Sequence, residues 1–166
     1  MGRGVFPDLR VSTAYAIDYE GMYRKGYRGI IFDIDNTLVL PDAPADRGAE
    51  ELFRQLREIG FKTMILSNNT GERTRLFAEA VGSDYLTKAR KPLPGKYREA
   101  MRLMGTDASD TFFVGDQLFT DVWGANNAGI MSILTTPFTY DEELQIVLKR
   151  VLERPLLSMW EQKNRT

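Results

Sequence analysis

Apolar residues recur along this chain in two rhythms. In the first, short runs rich in Ile, Phe, Met, Leu and Val stand between polar or Gly-containing turns, over 29–33, 62–66, 84–87, 111–114 and 130–134. Runs of that length and content suit strands covered on both faces. In the second, apolar residues return every three or four positions. Ala49, Leu52, Phe53, Leu56 and Ile59 do so behind Asp46, a good N-cap, and ahead of Gly60, a good helix end. Without so clean a period, a short helix is expected near 18–25, closed by Gly26, and another over about 118–127. Asn69 and Glu72 have capping-box spacing for a helix through Val81, and Pro94 can sit in the first turn of one reaching Met104. A last helix is expected behind Asp141, with Leu144, Val147, Leu148 and Val151 as one apolar face and Pro155 as its stop. Residues 1–28 keep no clean period and read as an N-terminal extension. The polar tail 161–166 is expected to fray.

Strands and helices alternate throughout, which predicts a single-domain α/β fold: a doubly wound, Rossmann-like parallel sheet of five strands with helices on both faces. The 166 residues fit one domain across the whole chain. In such folds ligands bind beyond the carboxyl ends of the strands. Three of the five expected strand ends carry polar groups suited to catalysis: Asp33 with Asp35, then Ser67, then Asp116. Lys91 lies in the stiff loop Ala89-Arg90-Lys91-Pro92-Leu93-Pro94. Asp33 and Asp35 would share a face if strand geometry continued, and two carboxylates so placed repel each other unless a cation or proton lies between them. The run Asp33-Ile34-Asp35-Asn36-Thr37 is therefore a candidate Mg²⁺ and phosphoryl site.

Composition narrows the chemistry. The sequence has neither His nor Cys. That removes His-based triads, imidazole ligands and thiolate chemistry, and leaves carboxylates, Lys, hydroxyls and oxygen-ligated metals. The 22 basic and 23 acidic residues balance to a net charge of −1, which gives no support for nucleic-acid binding. No apolar run approaches the ~18 residues of a membrane span and no signal-peptide core is visible, so the expectation is a cytoplasmic protein.

Four motifs in order resemble the haloacid dehalogenase superfamily of phosphotransferases: Asp33-Ile34-Asp35-Asn36-Thr37, Ser67, Lys91, and Gly115-Asp116-Gln117-Leu118-Phe119-Thr120-Asp121. The resemblance implies an aspartyl-phosphate mechanism with Asp33 as nucleophile and Asp35 as proton donor and acceptor. It implies Mg²⁺ held by Asp33, the Asp35 backbone carbonyl and Asp116, with Asp121 orienting metal waters or Lys91. Ser67, Asn68 and Thr37 would meet the phosphoryl group, and Lys91 would oppose its developing charge. Asn36 stands where the family commonly has Gly, which puts the local loop geometry in question. Nine positions separate Thr37 from Asp46 and 24 separate Ser67 from Lys91. Neither gap holds a cap domain of roughly 50 residues. The wording of the motifs is similar to the phosphatidylglycerophosphate phosphatase branch, which implies an anionic lipid headgroup as substrate and peripheral contact with the inner membrane surface. Lys88, Arg90, Lys91, Lys96, Arg98 and Arg102 crowd around the single acid Glu99 and form a candidate basic patch for that contact. The alternatives are a phosphatase of a soluble sugar phosphate, nucleotide or phosphoprotein, or a receiver-like phospho-switch without turnover.

Overall fold

The run Gly29–Phe32 forms β2, a central strand with all four residues buried. The computed structural model describes residues 4–69, 71–140 and 144–165, with the side chains of Leu144 and Gln145 also outside the description. Beside β2 lie β3 (Lys62–Leu66) and β5 (Thr111–Gly115); β4 (Asp84–Leu86) flanks β3, and β6 (Met131–Thr135) flanks β5. A sixth strand, β1 (Leu9–Val11), pairs with β6 and completes a parallel sheet in the order β1-β6-β5-β2-β3-β4. The α/β class stands, but the sheet has six strands rather than five. β1 spans three residues at the edge and is largely exposed, so it shows no alternation to read.

Strand alternation sends neighbouring residues to opposite layers. Ile30, Phe32, Ile65, Phe112 and Val114 join a core with α1 (Tyr19–Arg24), α2 (Arg47–Ile59) and α3 (Glu72–Val81). Ile31, Met64, Leu66 and Phe113 face the other way, onto α4 (Gly95–Met104) and α5 (Trp123–Asn127). Asp46 caps α2 by accepting from the Ala49 N–H at 2.8 Å, and Gly60 ends it at φ 116°. Register then fixes the site. Phe32 is paired with both Ile65 and Val114, so Asp33, Ser67 and Asp116 leave the sheet along one edge.

Five local expectations change. α3 is capped by Gly71 (φ 55°), not Asn69, whose amide turns toward Asp35. Ahead of α5 the chain makes a π-helical turn, Leu118–Val122, with the Val122 N–H donating to the Gln117 carbonyl five residues back. The last helix, α6 (Leu144–Lys163), passes through Pro155. Proline removes one internal hydrogen bond, but Leu156 and Leu157 beyond it pack under the π-turn, and the Trp160 Nε1–H donates to the Pro7 carbonyl at 2.8 Å. Its residues Leu148 and Val151 are more than half exposed and Val147 is exposed as well, so they form no face toward the core. Helix also replaces fraying through Lys163, with Glu161 paired to Arg10. The expected cap Asp141, the Leu144 side chain and Thr166 lie outside the described residues.

Candidate active site

A cavity of about 470 Å³ opens at the carboxyl edge of the sheet. Its lining includes Asp33, Asp35, Ser67, Asn68, Lys91 and Asp116. A cleft of similar volume between α1 and α2 collects no comparable cluster of carboxylates and amine.

Lys91 ties the centre together. Its Nζ donates to Asp33 Oδ1 at 2.7 Å and to Asp121 Oδ1 at 2.6 Å, with its side chain almost wholly buried. Burial alone works against the ammonium, but the Asp121 and Asp33 carboxylates outweigh it and hold the pKa well above the ordinary lysine value. Burial, then the nearby Asp121 charge, push the Asp33 carboxyl up to about 7 against the pull of Lys91. Asp116 is driven the same way, first by burial and then by Asp121 and Asp33. Lys91 is thus no part of a surface patch, and Lys96 pairs with Glu99 at 2.7 Å. Lys88, Arg90, Arg98 and Arg102 remain exposed.

The loops have identifiable causes. Asn36 adopts φ 59°, a left-handed conformation that Asn tolerates better than most residues, so it can stand where Gly is common. Its amide is held by the Thr139 backbone, at 3.0 Å to the carbonyl and 3.1 Å from the N–H. Thr37 Oγ1 donates to Asp116 Oδ1 at 3.2 Å. Ser67 Oγ accepts from the Asn69 N–H at 3.1 Å and lines the cavity. Asn68 has a structural task as well: its Oδ1 accepts from the Lys91 backbone N–H at 2.9 Å and so positions the lysine loop. Asp121 Oδ2 accepts from the N–H groups of Asp116 and Gln117. That close approach requires Gly115, where a Cβ would lie 2.7 Å from the Asp121 Cγ.

Asp33, Asp116 and Asp121 each offer a carboxylate oxygen, all within 4.8 Å of one another and buried. Hard anionic oxygens facing one another in a dry pocket suit a divalent cation. The Asp35 carboxylate stays outside this cluster. It is held by Arg73 at 2.8 Å and by the Asp42 N–H at 2.9 Å, leaving only its backbone for the metal role expected of it.

Two further partners carry no motif. Arg73 on α3 clamps Asp35 and donates to the Ala43 carbonyl at 2.7 Å. Arg150 on α6 pairs with Asp116 Oδ2 and donates to its carbonyl at 2.6 Å, while Glu153 accepts from the Leu118 N–H at 2.9 Å. Arg73 lies on the apolar side of α3, whereas Arg150 lies opposite the apolar positions of α6 and has no sequence signal.

The haloacid dehalogenase-like hydrolase family model matches residues 42–129, which contain Ser67, Lys91, Asp116 and Asp121. The chain belongs to this family, and it is a phosphatase within it. It is 37% identical over 95% of its length to a protein of Bacillus subtilis (strain 168) named "Probable phosphatase YqeG", covering 92% of that protein. It is 31% identical over 96% of its length to "Phosphatidylglycerophosphate phosphatase 1, chloroplastic/mitochondrial" of Arabidopsis thaliana, of which it spans only 49%. Among solved structures, a haloacid dehalogenase phosphatase from Thermococcus onnurineus shares the fold at TM-score 0.53 and 17% identity, over 75% of this chain and 97% of that one.

Proposed function

We propose that the enzyme removes the terminal phosphomonoester of phosphatidylglycerophosphate, with Mg²⁺, at the cytoplasmic side of a membrane. The observation that carries the substrate is the likeness to the plant phosphatidylglycerophosphate phosphatase across nearly the whole chain. The open edge supports it. Among the described residues, the stretches after Thr37 and between Ser67 and Lys91 add only loops, α2, α3 and short strands, so no inserted domain roofs the cavity. Such a site can meet a headgroup that stays anchored in a bilayer.

Asp33 attacks phosphorus through a carboxylate oxygen, and the bond from phosphorus to the ester oxygen breaks. Asp35 gives that leaving oxygen a proton, then takes one from the water that cleaves the aspartyl-phosphate, which frees phosphate and restores Asp33. Ser67 and the Asn68 amide nitrogen receive the phosphoryl oxygens, Thr37 steadies Asp116, and Lys91 opposes the growing charge. Asp33 and Asp116, with the Asp35 carbonyl, would hold Mg²⁺. Asp121 serves it indirectly, by holding Lys91 and the Asp116 and Gln117 N–H groups in place beside the ligands. When bound, the ion neutralises the carboxylates and the phosphoryl charge.

The test compares kcat/KM on phosphatidylglycerophosphate with a soluble panel of sugar, nucleotide and peptide phosphates, with Asp33→Asn as control. The lipid should lead by about tenfold or more, a difference of ~1.4 kcal/mol in barrier, and Asp33→Asn should release no phosphate. A soluble ester turned over far better would remove the lipid reading while leaving the Asp33 chemistry intact.

A further inference from the structure

α6 is built inside out. A surface helix ordinarily turns apolar residues inward and charges outward. Here Arg150 and Glu153 face inward, both buried, one on Asp116 and the other on the Leu118 N–H. The outward side carries Val147, Leu148, Val151, Leu152, Pro155 and Met159, all exposed. Leu148, Val151, Leu152 and Met159 are each more than half exposed. At 100° per residue these six positions share one side of the helix, opposite Arg150, Glu153 and Leu157.

We infer, resting on the lipid-ester reading above, that this stripe is a docking surface for an anionic bilayer and that it sets the mouth of the active site against the headgroups. Charge favours that occupant. Residues 144–165 contain five basic residues and two acids. Arg150 and Glu153 are both buried and Glu161 is paired with Arg10, so Lys149, Arg154, Lys163 and Arg165 supply the basic charge of the outer side, behind the acidic run 141–143. Lys149 and Arg154 flank the stripe on either side, so a cationic margin borders an apolar centre, the pattern of a helix lying in a membrane interface. No helix among the described residues is long and apolar enough to cross a membrane, which leaves lying flat as the available mode.

Position favours it too. Ile146 and Lys149, at the start of the same helix, line the cavity with Asp33 and Ser67. In two other segments, Leu40 precedes the cavity-lining Pro41, and Phe138 and Tyr140 bracket Thr139, which holds the cavity-lining Asn36. All three side chains are strongly exposed. Exposed apolar groups thus stand next in the chain to cavity-lining or cavity-supporting residues in two segments besides α6.

The test uses full-length protein and a variant with Leu148→Gln, Val151→Gln and Leu152→Gln. All three positions point away from the body, and Gln keeps helix propensity. Sedimentation with phosphatidylcholine vesicles, with and without phosphatidylglycerol, is read beside turnover of para-nitrophenyl phosphate and the mass in solution. The wild type should bind the anionic vesicles and bind neutral ones more weakly. The variant should bind the anionic vesicles about tenfold or more weakly and keep its turnover of the soluble ester and its mass. Equal vesicle binding by the two proteins overturns the docking surface, as does a wild type that binds no vesicles. A stripe variant that falls from dimer to monomer does the same and assigns the face to a second copy of the chain. The two readings fail separately: stripe-dependent vesicle binding with no lipid turnover removes only the substrate, and rapid turnover in detergent with stripe-independent binding removes only the docking.

Discussion

One side chain decides how the centre is charged. Lys91 stands between Asp33 and Asp121 with its ammonium on both. The loop that delivers it holds Lys88 and Arg90 in left-handed backbone at φ 49° and 51°, and the Asn68 amide fastens its turn. Non-Gly residues pay for such conformations, so the loop is held by what surrounds it. Lys91→Ala should lower kcat on a soluble ester by ~10²–10³, the usual scale for a lost transition-state donor. Circular dichroism of the variant separates that loss from unfolding. A kcat within about twofold of wild type, under ~0.5 kcal/mol of barrier, would retire the catalytic role. Asp33, Lys91 and Asp116 were legible because strand ends expose them in a fixed order. Arg73 and Arg150 were not, because a long side chain reaching across from another helix leaves no local pattern.

Among the elements, legibility followed period and length. α2 and β3 were readable to within a residue because each keeps one rhythm between clear stops. β1 was too short to show a period, and the π-turn before α5 reads as ordinary helix because its apolar content is unchanged. That turn has a use: the extra residue brings Asp121 back onto the N–H groups of Asp116 and Gln117. α6 was misread because tertiary contacts beyond Pro155 override the break. Its contribution can be measured. Arg150→Ala would leave Asp116 and Glu153 buried without their guanidinium, at a cost of ~3–5 kcal/mol. Urea denaturation should report that loss, and an unchanged midpoint would mean that Arg150 holds nothing together.

For the whole molecule, the buried carboxylates make stability depend on pH. Asp33 is pushed up to about 7, and Asp116 is also raised. A folded state that holds protons more tightly than the unfolded one loses stability as pH rises through the interval between the two pKa values. Metal-free protein should therefore melt at a lower temperature at pH 8 than at pH 5. The Lys91 contribution does not interfere, since its raised pKa keeps that stability in place until well above this range. On the function proposed above, Mg²⁺ would compete with the protons for the same oxygens and should raise the melting temperature more at pH 8 than at pH 5. Scanning calorimetry at the two pH values, with and without the ion, is the measurement. A metal-free melting temperature that climbs from pH 5 to 8 would contradict the burial of charge described here.

The clasp between Arg150 and Asp116 spans 34 residues of chain. A ribosome adds ~5–20 residues per second, so Asp116 is made roughly 2–7 seconds before its partner exists. Over that interval Asp116 lacks its guanidinium partner. Translation therefore imposes a delay on this edge of the sheet: Asp33 and Asp116 are made early, and the arginine that clasps Asp116 is made late.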